Sequence, residues 1–177
     1  MQKIIYLTIL WFCNIFLFGQ SEEKKIKSIT TSVDKINKDT AEYATKVYSN
    51  HNELKDLQGF YKNGQLRKII YKRDLIQGYY LTEYYFLENK LIYVYEKQDI
   101  WDPLKGGSPK ATPLDSLFKR VKNTYEGSFY FFDKQMLDKT IKDDRVFKSG
   151  AIIDNENKEK FILDSAKECM EELNSIK

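Results

Sequence analysis

Few residues in this chain have the type and setting to do chemistry. The single histidine, His51, sits in the polar stretch Asn50-His51-Asn52. An acid–base pair or metal site needs a carboxylate or second ligand beside the imidazole, so His51 reads as a solvated loop residue. Cys169 falls on an apolar stripe near the C-terminus and reads as a buried, inert thiol. No Cys–His or Ser–His–Asp arrangement, glycine-rich phosphate loop or metal-ligand spacing is present, and the chain calls for no cofactor and no metal. Carboxylates are the one abundant reactive type: Glu83, Glu88, Glu96, Asp99, Asp102, Asp115, Glu126 and Asp133. Two of them brought together could work as a glycosidase-like acid and nucleophile, but sequence spacing does not set their separation. In so charged a chain the default is a solvated carboxylate, so no catalytic residue is assigned.

Aromatic side chains offer a different chemistry, that of recognition. The chain has 13 Tyr and 11 Phe, which strand propensity accounts for in part. Tyr79-Tyr80 and Tyr84-Tyr85 each place one ring on either face of a strand. Trp101 lies in a Pro- and Gly-bearing stretch, 97–113, that reads as a long irregular loop. Large rings of this kind dominate interface energetics, and Trp101, Tyr80, Tyr84, Tyr93 and Tyr95 are the candidate partner-binding residues.

The elements that must position them begin after a leader. Met1-Gln2-Lys3 is cationic, Ile4 to Phe18 is nearly all apolar, and Phe18-Gly19-Gln20-Ser21 brings small residues before a charged run. This is the layout of a secretory signal peptide over 1–20, with an apolar core of about 15 residues that is short for a membrane span. It predicts an exported protein, periplasmic or extracellular, with no stable membrane insertion after cleavage. Cys13 reads against lipid attachment, because bulky Trp11 and Phe12 precede it. The remaining stretch, 21–177, is about the size of one domain. Its only cysteine is Cys169, so the expected domain is held by its apolar core rather than by a disulfide. Losing Lys3 from the 29 Lys and Arg leaves a charge of about +2 against 26 Asp and Glu, too balanced a surface to predict nucleic-acid binding.

Ile26, Ile29, Val33 and Ile36 recur every three or four residues and predict an amphipathic helix. Asp39 with Glu42 reads as a capping box opening a second helical segment over 40–48. The middle of the chain is one unit written three times, at 59–71, 82–95 and 127–137: an aromatic run, a polar turn and an aliphatic run. Asn63-Gly64 predicts a tight hairpin, and Glu88-Asn89-Lys90 and Asp133-Lys134-Gln135 looser turns. Both alternating sets along Tyr79 to Leu87 are largely apolar, so helices or another subunit should cover part of the second face unless it remains an aromatic binding surface. Leu114 to Val121 reads as a short helix, and Lys158 to Ile176 as a closing one carrying Ile162, Ala166, Cys169, Leu173 and Ile176. The predicted class is α+β: an antiparallel meander of about six strands packed with N- and C-terminal amphipathic helices.

At the hairpins the residues carry a likeness. Thr82 to Glu96 (TEYYFLENKLIYVYE) resembles the EYYF-x-NGKL-x-FVY hairpin of small secreted Bacteroidetes proteins, and Phe60-Tyr61-Lys62-Asn63-Gly64-Gln65-Leu66 is similar to the YY-x-NG-x-L hairpins of MORN-like variant repeats. The Phe-Gly-Gln end of the leader is similar to flavobacterial signal peptides. The likeness covers 59–96, while the third hairpin lacks the Asn-Gly. It implies an α+β secreted module and brings no catalytic residues. The leading expectation is a non-catalytic binding module for a protein partner, one form of which is an inhibitor or immunity protein of an envelope-acting hydrolase. The rival expectations are a carboxylate-dependent envelope hydrolase and a carrier of a small apolar ligand.

Overall fold

The computed structural model describes residues 2–75, 78–101, 121–143 and 155–176, with the side chains of 21–75, 78–100, 124–142 and 157–176. The chain is α+β. Helix α1 (Gln2–Asp39) leads into strands β1 (Ala44–Asn50), β2 (Lys55–Lys62), β3 (Gln65–Leu75), β4 (Gly78–Leu87), β5 (Lys90–Trp101), β6 (Val121–Phe132) and β7 (Gln135–Asp143), and helix α2 (Asn155–Ser175) follows. The seven strands form one antiparallel sheet in chain order, β1 to β7.

The hairpins are closer copies than their sequences suggest. Each turn has two residues with positive φ, Asn63-Gly64 (53° and 74°), Glu88-Asn89 (51° and 62°) and Asp133-Lys134 (48° and 69°). The latter two are therefore as tight as the first, because the backbone twist of the strands selects that turn even without glycine. Each hairpin then shifts register at the same place, between Phe60 and Tyr61, Tyr85 and Phe86, and Tyr130 and Phe131. In every case the second strand holds one extra residue, Arg67, Ile92 or Leu137, so the three bulges twist the sheet in step.

The two faces are covered by different helices. Under α2 lie Leu57, Ile69, Tyr84, Phe86, Val94, Phe129 and Phe131, packed on Ile162, Ala166, Cys169 and Leu173 of the helix. That helical spacing keeps one stripe on the sheet, and each side chain so buried contributes about 1.5–3 kcal/mol. Gly59 leaves the room that Leu173 occupies, since a Cβ there would stand 2.8 Å from the Leu173 side chain. Under α1, Ile29, Val33 and Ile36 pack with Tyr43, Phe60 and Tyr85, flanked by Ile70, Ile92, Tyr93, Tyr130 and Leu137. Both alternating sets of β4 are largely apolar because each face is at least partly roofed. Thr30, Thr31 and Ser32 on α1, and Thr40 just after it, each donate a hydroxyl to the carbonyl four residues back.

Five local expectations are corrected. Residues 40–48 are not a helix: a single 3-10 turn (Thr40–Glu42) gives way to β1. Asp39 makes no capping bond, its carboxylate instead taking Lys62 Nζ at 3.0 Å, and β-branched Thr45 and Val47 with Tyr48 favour the strand. This seventh strand takes the sheet beyond the six expected. Lys97 to Trp101 is not loop but the end of β5, paired with β6 through Trp101↔Val121. Val121 correspondingly opens β6, whereas residues 102–120, with the rest of the expected loop and short helix, lie outside the described residues.

Candidate functional site

Antiparallel register lines residues up in ladders across the sheet, and the α1 face has four of them. Nearest the turns, Phe60, Lys68, Tyr85, Tyr93, Tyr130 and Asp138 stand abreast. The next ladder is Gln58, Ile70, Glu83, Tyr95, Ser128 and Thr140, and the third Asp56, Lys72, Leu81, Lys97, Glu126 and Lys142. The last includes Asp74, Tyr79 and Asp99. Along each strand the face therefore changes from aromatic under α1 to mixed and charged away from it.

Side chains fix these ladders to one another. Lys68 Nζ bonds Asn37 Oδ1 of α1 at 3.1 Å and Glu83 Oε1 at 3.0 Å, and stands 4.8 Å over the Tyr85 ring. The Tyr85 hydroxyl lies between Glu83 Oε2 (2.5 Å) and Asn37 Oδ1 (3.0 Å). Burial first, then the hydrogen bond to Glu83, pushes the Tyr85 phenol well above its ordinary value. Tyr85, Tyr93 and Tyr130 form a chain of tilted rings with centroids 5.5 and 5.0 Å apart. Tyr93 and Ser128 share a hydroxyl bond of 2.9 Å, and Tyr95 donates to Glu126 at 2.5 Å. Burial and that carboxylate together raise the Tyr95 phenol. Tyr79 donates to Asp99 Oδ2, which also takes Lys97 Nζ at 2.7 Å. The Asp99 bond holds the Lys97 ammonium above its usual range despite partial burial.

A second polar group lies on the α2 face. Glu96, 2 % exposed, accepts both oxygens' worth of Lys158 Nζ (2.9 and 2.7 Å) and the Tyr125 hydroxyl (2.8 Å). Lys158 also lies 5.1 Å over the Phe129 ring. Gly127, directly opposite Glu96, makes this possible: a Cβ there would meet the Tyr125 hydroxyl and the Phe129 ring at 2.8 Å. At the other end of α2, Lys55 bonds Glu172 at 2.6 Å. Burial opposes the Lys55 charge, but Glu172 outweighs it and the ammonium is held above its usual value. The two ion pairs fasten α2 at both ends.

The five expected partner residues do not share a face. Tyr93 and Tyr95 stand half-buried on the α1 face. Tyr80 belongs to the α2 face, beside Thr82 and Glu96, and burial with Glu96 pushes its phenol upward. Tyr84, 4 % exposed, is core beneath α2 rather than accessible surface. Trp101 ends β5, and its side chain lies outside the described residues. Of the carboxylates, Glu83, Glu96 and Asp99 are each held by a lysine and a tyrosine. Glu88 and Asp133 sit in turns, Asp133 paired with Lys90 at 2.7 Å on the surface. Asp102 and Asp115 lie outside the described residues. Cys169 is buried, which pushes its thiol up to about 12. Among the described residues no group of three or more His, Cys, Asp or Glu is placed to hold a metal ion, and no helix is long and apolar enough to cross a membrane.

Sequence reasoning missed Tyr79, Lys97, Asn37 and Lys68. Alternation pairs Tyr79 with Tyr85 on the α1 face, so that signal was available for Tyr79. Asn37 reaches Lys68 and Tyr85 across 31 and 48 positions of chain, contacts that only the register defines. No protein-family model, curated protein or solved structure matches the chain.

Proposed function

We propose that this protein is an exported, non-catalytic binding module that engages another protein through the α1 face of its sheet. The layout of residues 1–20 supports export to the periplasm or beyond, with 21–177 as the working domain and the 21–39 part of α1 as its amphipathic N-terminal helix. The observation that carries the reading is the set of partly exposed side chains on this face away from the turns: Tyr79, Leu81, Glu83, Tyr95, Lys97 and Glu126. Their rings and charges are held in advance, Tyr79 by Asp99 and Tyr95 by Glu126. A ring already ordered loses little freedom on binding, and tyrosine combines apolar area with a polar rim.

The same bonds weigh against acid–base work. A general acid or nucleophile needs a carboxylate free to meet substrate, and Glu83, Glu96 and Asp99 are already tied to lysine and tyrosine. An inhibitor or immunity protein of an envelope-acting hydrolase is the specific form that export and a fixed recognition face fit best.

The test is capture of envelope proteins by the purified protein, with the Tyr79→Ala and Tyr95→Ala variants as controls. A single enriched protein, lost by at least tenfold with either variant, is the expected result. Turnover of peptidoglycan or glycan by the purified protein, abolished by a single Glu83→Gln or Glu126→Gln substitution, overturns the reading.

A further inference from the structure

We infer that β1 is a self-association edge: two copies of the chain pair β1 with β1, antiparallel about a two-fold axis at Val47, joining two sheets into one. The two outer strands of the sheet differ. β7 is closed to pairing. It carries a bulge at Leu137, it presents Asp138, Lys139 and Lys142, and its outward Met136 N–H donates to Glu159 Oε2 of α2 at 2.9 Å. Bulges, charges and a covering group are the devices that keep an edge strand from recruiting another chain. Among the described residues β1 shows no bulge, no covering group and a single charge. It pairs with β2 from Ala44 to Asn50 without a register shift, its one charge is Lys46, and Val47 is 59 % exposed.

The backbone groups that β1 turns outward follow from the Asn63-Gly64 turn. Lys62 and Gln65 flank a two-residue turn and so bond each other, which makes alternate residues of β2 face β3 and the rest face β1. Tyr61, Gly59, Leu57 and Lys55 thus serve Ala44, Lys46, Tyr48 and Asn50. Thr45, Val47 and Ser49 point their N–H and C=O away from the sheet, and no described backbone hydrogen bond outside the ladders reaches them.

These outward groups are self-complementary. With Val47 on the two-fold axis, Val47 meets Val47 of the second copy and Thr45 meets the second copy's Ser49, so every outward group of the three residues is paired. On the opposite face Lys46 comes against the Tyr48 ring of the second copy. Lys46 already lies 5.8 Å over the Tyr61 ring, an aromatic setting that accepts an ammonium. A slip of one residue sets Lys46 against its own copy and turns inward-bonded groups outward. Because the β7 edge is closed, association stops at two rather than running on into a fibre.

Sedimentation equilibrium of the purified protein is expected to show a concentration-dependent dimer. Val47→Pro removes an outward donor and no bond to β2, so it should leave the circular dichroism unchanged and weaken the dimer by about 100-fold or more. Val47→Cys gives a second readout that does not depend on proline being tolerated. Cα atoms of a hydrogen-bonded antiparallel pair lie about 5.5 Å apart, within disulfide range. Mild oxidation should link Val47→Cys into a covalent dimer, while Thr45→Cys should link to Ser49→Cys in a mixture but not to itself. A protein monomeric to millimolar concentration, a dimer indifferent to Val47→Pro, a Thr45→Cys chain that links to itself, or a monomer that instead takes a strand of a different protein on β1 each overturns the inference.

Discussion

Replacing Lys158 by Met isolates what the ion pair under α2 contributes. The Glu96 and Lys158 side chains are 3 % and 14 % exposed, so neither charge is screened by bulk water. Lys158→Met keeps the aliphatic stem over Phe129 but leaves Glu96 without its lysine, beside the neutral hydroxyls of Tyr125 and Tyr80. Removing one member of a buried pair costs about 3–5 kcal/mol at neutral pH, because a charge stays buried without its counter-charge. Urea unfolding of both proteins at pH 7, followed by circular dichroism, reads this directly. Adding Glu96→Gln to the variant should recover most of the loss at pH 7, since the residual charge is gone. A deficit under about 1 kcal/mol at pH 7 refutes the account of the pair as buried and coupled.

Other expectations follow from burial and backbone. Tyr84→Ala should lower unfolding free energy by about 3–5 kcal/mol, whereas Tyr95→Phe, which removes one half-buried hydroxyl, should lower it by about 1 kcal/mol; parallel urea titrations compare them. Gly127→Ala should destabilise by about 1–3 kcal/mol and, by displacing Tyr125, partly release the Glu96 anchor, whereas Gly64→Ala, with open space around it and φ at 74°, should lose only about 1 kcal/mol in strain. Stability should fall as pH rises above about 9, because Cys169, Tyr84 and Tyr85 have folded pKa values raised above their unfolded ones and so favour the fold only while neutral. Thiol titration of the native protein with a coloured disulfide reagent should accordingly find Cys169 unreactive at pH 8 and reactive on unfolding.

What the chain disclosed by inspection was periodic. Ile29, Val33 and Ile36 on α1, and Ile162, Ala166, Cys169 and Leu173 on α2, repeat at helical spacing and are buried as that spacing implies. The three hairpins were legible because turn and strand patterns recur. β1 was not, since Asp39 and Glu42 imitate a helix start while Asp39 in fact serves Lys62. Nor was the far end of β5, where Asp99-Ile100-Trp101 next to a proline looks like loop, although pairing with β6 carries the strand on to Trp101. The tyrosines of the three hairpins were assigned to strands, whereas Tyr48 was read as helical and lies in β1, and what covers each face depends on which helix lands there. That is decided by contacts across long stretches of chain, such as Lys158 to Glu96, which no local pattern encodes.

Every strand here neighbours the strand next to it in the chain, while both roofs are made by the ends. Hairpins can thus zip up one after another as soon as they emerge, each step closing only a small loop of polypeptide. The ribbon so formed remains greasy on one side until the final twenty-odd residues arrive to cap it. A chain truncated before Asn155 would expose Leu57, Ile69, Val94, Phe129 and Phe131, the side chains that α2 covers. Cover for this face is consequently tied to α2, and holding that helix back would leave it bare.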